Sequence, residues 1–421
     1  MQGVFQQITT GSFYELADAC SSQPGFALLD SRSGDPALAR YSFFSFAPYA
    51  NARTLSRLEQ LLSQYKGDAG GAIGYFAYEL GRRFEILPAT AVDELGLSDC
   101  NFNLYNFTFV HDKEKDQVFL RHFDVDGGLA VDEVLRRSRC ASLVASGAAG
   151  RIQADFTREA YLAALRRIRE YIYAGDIYQV NMTQRFKAKL NGLHPWAIYK
   201  RLMDVNPAPF AAYLNCGDHL VACSSPERFL KLEGRKIETR PIKGTVRRGG
   251  TPQQDQANRD WLLHSEKNLA ELAMIVDLLR NDIGRVCTPG TVQVKAFPEI
   301  ESYASVHHLV ATITGELDED KSLIDLIQAT FPGGSITGVP KIRAMEIIDE
   351  LEPVTRGIYT GSIGYIGFNG IADLNIAIRT IIIKDDIAYI HAGGGITADS
   401  DEQEEYEESL LKASRLFAAL K

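Results

Sequence analysis

The chain has 421 residues, 45% of them hydrophobic and 24% charged, the balance of a folded globular protein rather than a disordered or fibrous one. Its formal net charge of −9 argues against nucleic acid as a partner, and no apolar run approaches the about 20 residues of a membrane-spanning helix. The six cysteines, at positions 20, 100, 140, 216, 223 and 287, are scattered with no C-x-x-C pair, which favours a reducing, cytoplasmic setting and disfavours a thiolate metal site.

The start, MQGVFQQITTGSF, lacks the basic-then-apolar order of a secretory signal. FALLDS (26–31), YSFFSF (41–46), NFTFVHD (106–112) and QVFLRHF (117–123) predict short strands. The small and polar LVASGAAGRIQADF (143–156), following the charged DEVLRRSR, suggests a boundary between an N-terminal region, 1–145, and a second domain, 155–420. TREAYLAALRRIREYIYAG predicts a helix from an N-cap at Thr157 to Gly175, with Tyr161, Leu165, Ile168 and Ile172 at helical spacing. IYQVNMTQRF (177–186) alternates instead, setting Gln179, Asn181 and Thr183 on one face and Tyr178, Val180 and Met182 on the other. Leu269, Leu272, Ala273 and Val276 mark a further helix, and Ala344, Ile347, Ile348 and Leu351 another. ADLNIAIRTIIIKDDIAYIHA predicts an antiparallel hairpin turning at Asp385-Asp386. This order is too irregular for a wound βαβ sheet, and an α+β fold with large antiparallel sheets fits it better.

Three features bear on chemistry. The last helix carries Glu405, Glu408 and Lys412 on one face, and Glu271 interrupts a mostly apolar helix. Such acids are ordinarily dipole compensation or a solvated edge, but carboxylates from two helices could also share a Mg²⁺, which needs only a few protein oxygens. FPGGSITGVPKIRAM falls short of a nucleotide-binding phosphate loop, because Val339-Pro340 stand where Lys and Ser/Thr are required. It keeps the weaker character of an anion cradle before a helix, and AGGGITADS (392–400) offers a second glycine turn whose backbone can approach a carboxylate. In RPIKGTVRR (240–248), Lys243 reads either as a solvated charge or as an amine whose pKa the neighbouring Arg240, Arg247 and Arg248 lower if they are also close in space.

RPIKGT, SSPERF (224–229), MIVDLLRNDIGRV (274–286), VHHLVATITG (306–315), FPGGSITGVPKIRAMEIIDELEP (331–353) and AGGGITADS together resemble the chorismate-utilising enzymes, strongly over about 157–415 and more loosely before that, including AYELGRRFE (77–85). The resemblance implies two large antiparallel sheets stacked as a sandwich with helices outside. It also implies Mg²⁺ held by Glu271 and Glu408 with Glu405 assisting, and chorismate held at its enolpyruvyl carboxylate by Arg379, Gly393, Gly395 and Lys412. Thr245, Ser335 and Tyr359 match further substrate contacts, and His308 an active-site histidine. Lys243 stands where the anthranilate-forming members carry alanine. It matches the lysine that, in the members forming 4-amino-4-deoxychorismate for folate and p-aminobenzoate, adds to C2 as the 4-hydroxyl leaves. Glu227 matches the acid that protonates that hydroxyl. The water-adding members place a lysine base where this chain has Gln179. The ammonia is expected from a separate glutamine amidotransferase subunit in a heterodimer, since no cysteine here sits in a glycine-flanked elbow. Ser31, Arg40, Tyr41, Pro209 and Phe210 resemble a tryptophan site, with Asp30 where feedback-inhibited relatives often carry Glu; they read equally as sheet core and turn. Anthranilate formation and a non-catalytic metabolite sensor on the same fold are the alternatives.

Overall fold

In the computed structural model, residues 4–8, 11–33, 36–65, 70–138, 147–303 and 305–421 are described. Residues 143–146 of the expected inter-domain stretch, and Cys140, lie outside them. Among the described residues, strands assemble into one sheet of twelve and one of ten. The larger runs from strand Val4–Ile8 at one edge to Gly338–Val339 at the other; the smaller includes Gly71–Phe76, Cys100–Tyr105, Arg228–Glu233, Ile242–Arg247 and Val306–Glu316. Both sheets draw strands from early and late in the chain: Ala27–Asp30 pairs with Phe210–Asn215, and Gly71–Phe76 with Ser362–Gly367.

The two sheets face each other across a layer of Ile73, Tyr75, Ala212, Leu214, Val221, Cys223, Ile363 and Ile382, side chains contributed by both. Helices close the outer faces. Pro195–Val205 and Glu402–Ala419 bury Trp196, Ile198, Leu202, Ala413 and Leu416 on the larger sheet; Glu266–Gly284 buries Leu272, Ile275 and Leu279 on the smaller. Each large apolar side chain buried in this way contributes roughly 1.5–3 kcal/mol. This is the α+β sandwich the sequence implies.

The helix expected after Thr157 spans Arg158–Ala174. The Thr157 hydroxyl accepts from the Ala160 N–H at 3.2 Å, and Gly175 ends the helix at φ +84°. The expected strand at 177–186 is Gln179–Lys189. One expectation is corrected. Residues 372–396 are not a single hairpin: Ala372–Asn375 belongs to the smaller sheet, and only Thr380–Lys384 and Ile387–Ile396 pair around Asp385-Asp386 in the larger one. Alternating apolar residues look alike on either side of such a crossing, so the pattern does not reveal it.

Those crossings position the site. The chain passes from the larger sheet (Leu220–Ser225) to the smaller (Arg228–Glu233) at Pro226-Glu227, and returns between Asn375 and Thr380. The two crossovers are bonded to each other: the Ile376 N–H donates to the Glu227 carbonyl at 3.0 Å, and the Ser225 hydroxyl to the Ile376 carbonyl at 2.6 Å. Glu227 and Arg379 are therefore placed where the sheets part, and Arg379 itself adopts φ +52°.

Candidate active site

Glu227 is buried, and one of its oxygens accepts from the Ser335 hydroxyl at 2.6 Å. Burial pushes its pKa up to about 7 even though Ser335 and the Lys243 charge favour the anion. The carboxyl is thus poised to hold and release a proton near neutrality, which is what a general acid requires.

Lys243 lies in strand Ile242–Arg247, where the register slips between Lys243 and Thr245. Gly244 makes that bulge with φ +75°, and a Cβ there would meet Asn268 and Leu262 at 3.0 Å. The half-buried lysine donates from Nζ to the Ser335 carbonyl at 3.2 Å. Burial lowers its pKa, opposed by Glu271 and Glu227, while the Lys412 charge adds to the lowering. The expected arginine effect is not what acts here. None of Arg240, Arg247 and Arg248 is among the leading charges that act on the amine; Arg240 pairs with Glu301 and Arg248 with Asp255. Acid and amine thus converge on one residue, Ser335, the first through its hydroxyl and the second through its carbonyl.

Around them stands a ring of charge. On helix Glu402–Ala419, Lys412 pairs with Glu408 at 2.6 Å and donates to the Gly393 carbonyl at 3.0 Å. Glu405 is buried with the Ser400 hydroxyl on one oxygen at 2.7 Å. A Cβ built on Gly394 would lie 3.1 Å from Glu405 Oε2, 3.3 Å from Lys412 Nζ and 3.7 Å from Glu408 Oε1, so the three do share one face, over a cradle that any side chain would fill. Burial works against the Glu408 charge, but Lys412 more than offsets it and holds the pKa below the usual range; burial raises that of Glu405. Glu271, half-buried on helix Glu266–Gly284, acts on Lys243 from another side. Among the described residues no three metal-ligating side chains are already gathered into a centre. The donor chemistry nevertheless suits a hard cation, which completes its shell with water and substrate.

Arg379 has no carboxylate partner among the described residues; its recorded hydrogen bond runs to the Lys412 carbonyl at 3.5 Å. Burial lowers its pKa, and a guanidinium so placed calls for an anion. Tyr359 is buried and stacks on His391, ring centroids 5.1 Å apart. His308 is buried with Nδ1 and the Thr245 hydroxyl 2.8 Å apart. Burial and the Arg379 charge push its pKa down to about 3, so the imidazole is neutral at working pH. Strand Ile387–Ile396 lies against Gln179–Lys189 so closely that a Cβ on Gly393 would fall 1.9 Å from the Met182 carbonyl, and one on Gly395 2.1 Å from Gln179 Nε2. Gly338-Val339, within the supposed anion cradle, is a short strand on Gln179-Val180, and the helix after it, Lys341–Leu351, starts behind a cap at Pro340.

From the sequence, Asn181 and Gln179 are read only by their strand face, Gln179 also as the place of an absent lysine base, and Arg356 not at all. The carboxamide of Asn181 donates to the carbonyls of Ser335 and Thr337, each at 3.2 Å. Among the described residues, wholly buried Gln179 finds no hydrogen-bond partner for either amide atom. Arg356, also buried, grips Glu352 with Nε and Nη2, and donates from Nη2 to the Asn181 carbonyl (2.7 Å) and from Nη1 to the Ile336 carbonyl (3.0 Å). The available signal was the row Gln179, Asn181, Thr183 in an otherwise buried strand; a single Arg356 carries none.

The residues expected at a tryptophan site are partly together. The Ser31 hydroxyl donates to the Pro209 carbonyl at 2.7 Å, and Arg228 lies over the Phe210 ring. Arg40 lies over Tyr41 and is engaged by Asp112 and Glu114. Neighbouring Asp30 is buried and accepts from Tyr14, Arg32, Ser42 and Tyr199.

Residues 30–418 match the family model for chorismate binding enzymes. The chain belongs to that family. Aminodeoxychorismate synthase component 1 of Salmonella typhimurium is 45% identical over 83% of this chain and 77% of its own length. Anthranilate synthase component 1 of Thermus thermophilus is 42% identical with the same coverages. The crystal structure of anthranilate synthase component I from Streptococcus pneumoniae superposes with a TM-score of 0.82 at 30% identity, covering 90% of this chain and 92% of that one. In this chorismate binding enzyme the charges acting on Lys243 are those of Glu271, Glu227, Lys412 and Glu408.

Proposed function

We propose that this chain converts chorismate and ammonia to 4-amino-4-deoxychorismate, acting as the first component of a two-subunit aminodeoxychorismate synthase in the cytoplasm. The observation that carries the reading is the pair formed by Lys243 and Glu227 on either side of Ser335. The neutral Lys243 amine attacks C2, the ring double bonds shift, and the C4–O bond breaks as protonated Glu227 delivers its proton, releasing water. Ammonia then forms the C4–N bond, the C2–N bond to lysine breaks, and the proton lost by the incoming nitrogen restores Glu227. Arg379, Lys412 and the backbone at Gly393 and Gly395 hold the enolpyruvyl carboxylate, Tyr359 and Thr245 flank the ring, and neutral His308 fixes Thr245. Glu271 and Glu408, with Glu405 beside them, are the residues that would hold Mg²⁺, whose charge would neutralise the ring carboxylate. Relatives named anthranilate synthase are nearly as similar, but the lysine at 243 supports the reading without aromatisation.

The test is product identification after incubation with chorismate, Mg²⁺ and ammonium. The expected product keeps its enolpyruvyl side chain; release of pyruvate with anthranilate or salicylate as main product overturns the assignment.

A further inference from the structure

Ser335 belongs to the short turn Gly334–Ile336, and each carbonyl from 335 to 337 is tied down. The Ser335 carbonyl receives Asn181 Nδ2 and Lys243 Nζ, both at 3.2 Å. The Ile336 carbonyl receives Arg356 at 3.0 Å. The Thr337 carbonyl receives the Asn181 backbone N–H at 2.7 Å and its carboxamide at 3.2 Å. Asn181 is thus, among the described residues, the one side chain that bonds both ends of the turn, and Arg356 holds the Asn181 carbonyl at 2.7 Å. A carbonyl oxygen has two lone pairs, so the carboxamide and the ammonium share that of Ser335, each confining the direction left to the other.

We propose that Asn181 is a positioning residue for the covalent step: by fixing the Ser335 carbonyl it sets where the Lys243 amine points, and by fixing the same turn it sets the spacing from that amine to Glu227. This rests on the function proposed above. The physical need is plain. Lys243 has four rotatable carbons and stands on a bulge opened by Gly244; Ser335 is its recorded hydrogen-bond partner. Without the carboxamide the turn can swing, the amine loses its aim, and a misplacement near 1 Å can cost about 100-fold in rate. Asn181 acts through Lys243 and Ser335: its carboxamide oxygen lies beside Gly395, but among the described residues no hydrogen bond joins its side chain to Arg379 or Lys412.

The experiment compares Asn181→Leu and the isosteric Asn181→Asp with the wild type, alone and in a Lys243→Ala background. It measures kcat and KM for chorismate at saturating ammonium. It also measures the chorismate-derived adduct on the Lys243 peptide by mass spectrometry after quenching without ammonia. Thermal melting confirms folding, and the Asp variant keeps the test open if the Leu variant does not fold. The expected result is a 10- to 100-fold fall in kcat with KM within twofold, a matching fall in adduct, and no further fall in kcat when Lys243 is already alanine. Wild-type kcat and adduct in the Asp variant overturn the proposal, as does an equal loss in the alanine background. A wild type that makes no aminodeoxychorismate overturns the underlying function instead, and the positioning role with it.

Discussion

Glu227 is buried for a reason that stability alone does not supply. A carboxyl raised from 4.5 to about 7 carries a folding penalty once ionised, roughly 3 kcal/mol when the displacement is complete. The sign follows from linkage. Between the unfolded and folded pKa values the native state keeps a proton that the unfolded chain gives up, so the penalty is absent at pH 4, grows as pH rises and is complete above about 7. We predict that Glu227→Gln melts with the wild type near pH 4 but a few degrees above it at pH 8.5, in paired calorimetric scans. The same variant should lose about 100- to 10,000-fold in kcat, the usual range for a general acid. In the wild type, the rate per neutral ammonia should fall as pH rises through about 7, a limb absent from the variant's residual rate. A variant no more stable at alkaline pH would show that Glu227 is not held protonated by burial. At this scale the sequence was most informative where a motif carries one residue type with one task, as at Lys243 and Glu227. It was least so for Arg356 and Glu352: they pair at i, i+4, but what they hold, the Asn181 carbonyl and Thr183, lies far away in the chain, and an isolated arginine or glutamate in sequence reads as surface.

Helices were largely legible because capping is local. Thr157, Ser265 and Ser322 each cap a helix through a hydrogen bond three residues away, within reach of a pattern argument. Sheet membership was not. Asn375 and Thr380 lie five residues apart in one apolar run yet belong to different sheets, and only long-range pairing decides that. The same distinction governs the acids: that Glu405, Glu408 and Lys412 share a face follows from helical spacing, whereas Glu271 is brought to Lys243 by packing of a second helix. This division yields a prediction about metal. If Glu271 and Glu408 hold Mg²⁺ from two helices, the cation adds a tie between two elements distant in the chain. Mg²⁺ should then raise the wild-type melting temperature, and calorimetry should detect its binding without substrate. Glu271→Gln and Glu408→Gln should each abolish the shift and at least 10-fold of the affinity. A full Mg²⁺ shift in the double variant would return both carboxylates to ordinary helix surface.

On the scale of the whole molecule, the question is where the nitrogen comes from. The family match takes up 30–418, so within this chain no stretch is left for a second catalytic domain. A glutamine-hydrolysing site needs a reactive thiolate, which arises where positive charge or a helix start lowers the cysteine pKa. The described cysteines run the other way. Burial, with nearby Asp99 and Asp218, pushes the thiols of Cys100 and Cys216 up to about 12, and burial alone takes those of Cys223 and Cys287 to about 11. Cys20 is buried, and Cys140, outside the described residues, is flanked by no glycine. In the proposed reaction the site at Lys243 uses ammonia, and nothing among the described thiols is fitted to make it. We predict that the purified chain with chorismate, Mg²⁺ and glutamine forms no amino product. With ammonium it should be active, at a rate that depends on neutral NH₃ and, through Glu227, falls per NH₃ as pH rises through about 7. Addition of a separate glutaminase subunit should restore glutamine use and give a heterodimer by sedimentation. Efficient glutamine-dependent amination by the chain alone would refute the two-subunit arrangement and leave the chemistry at Lys243 untouched.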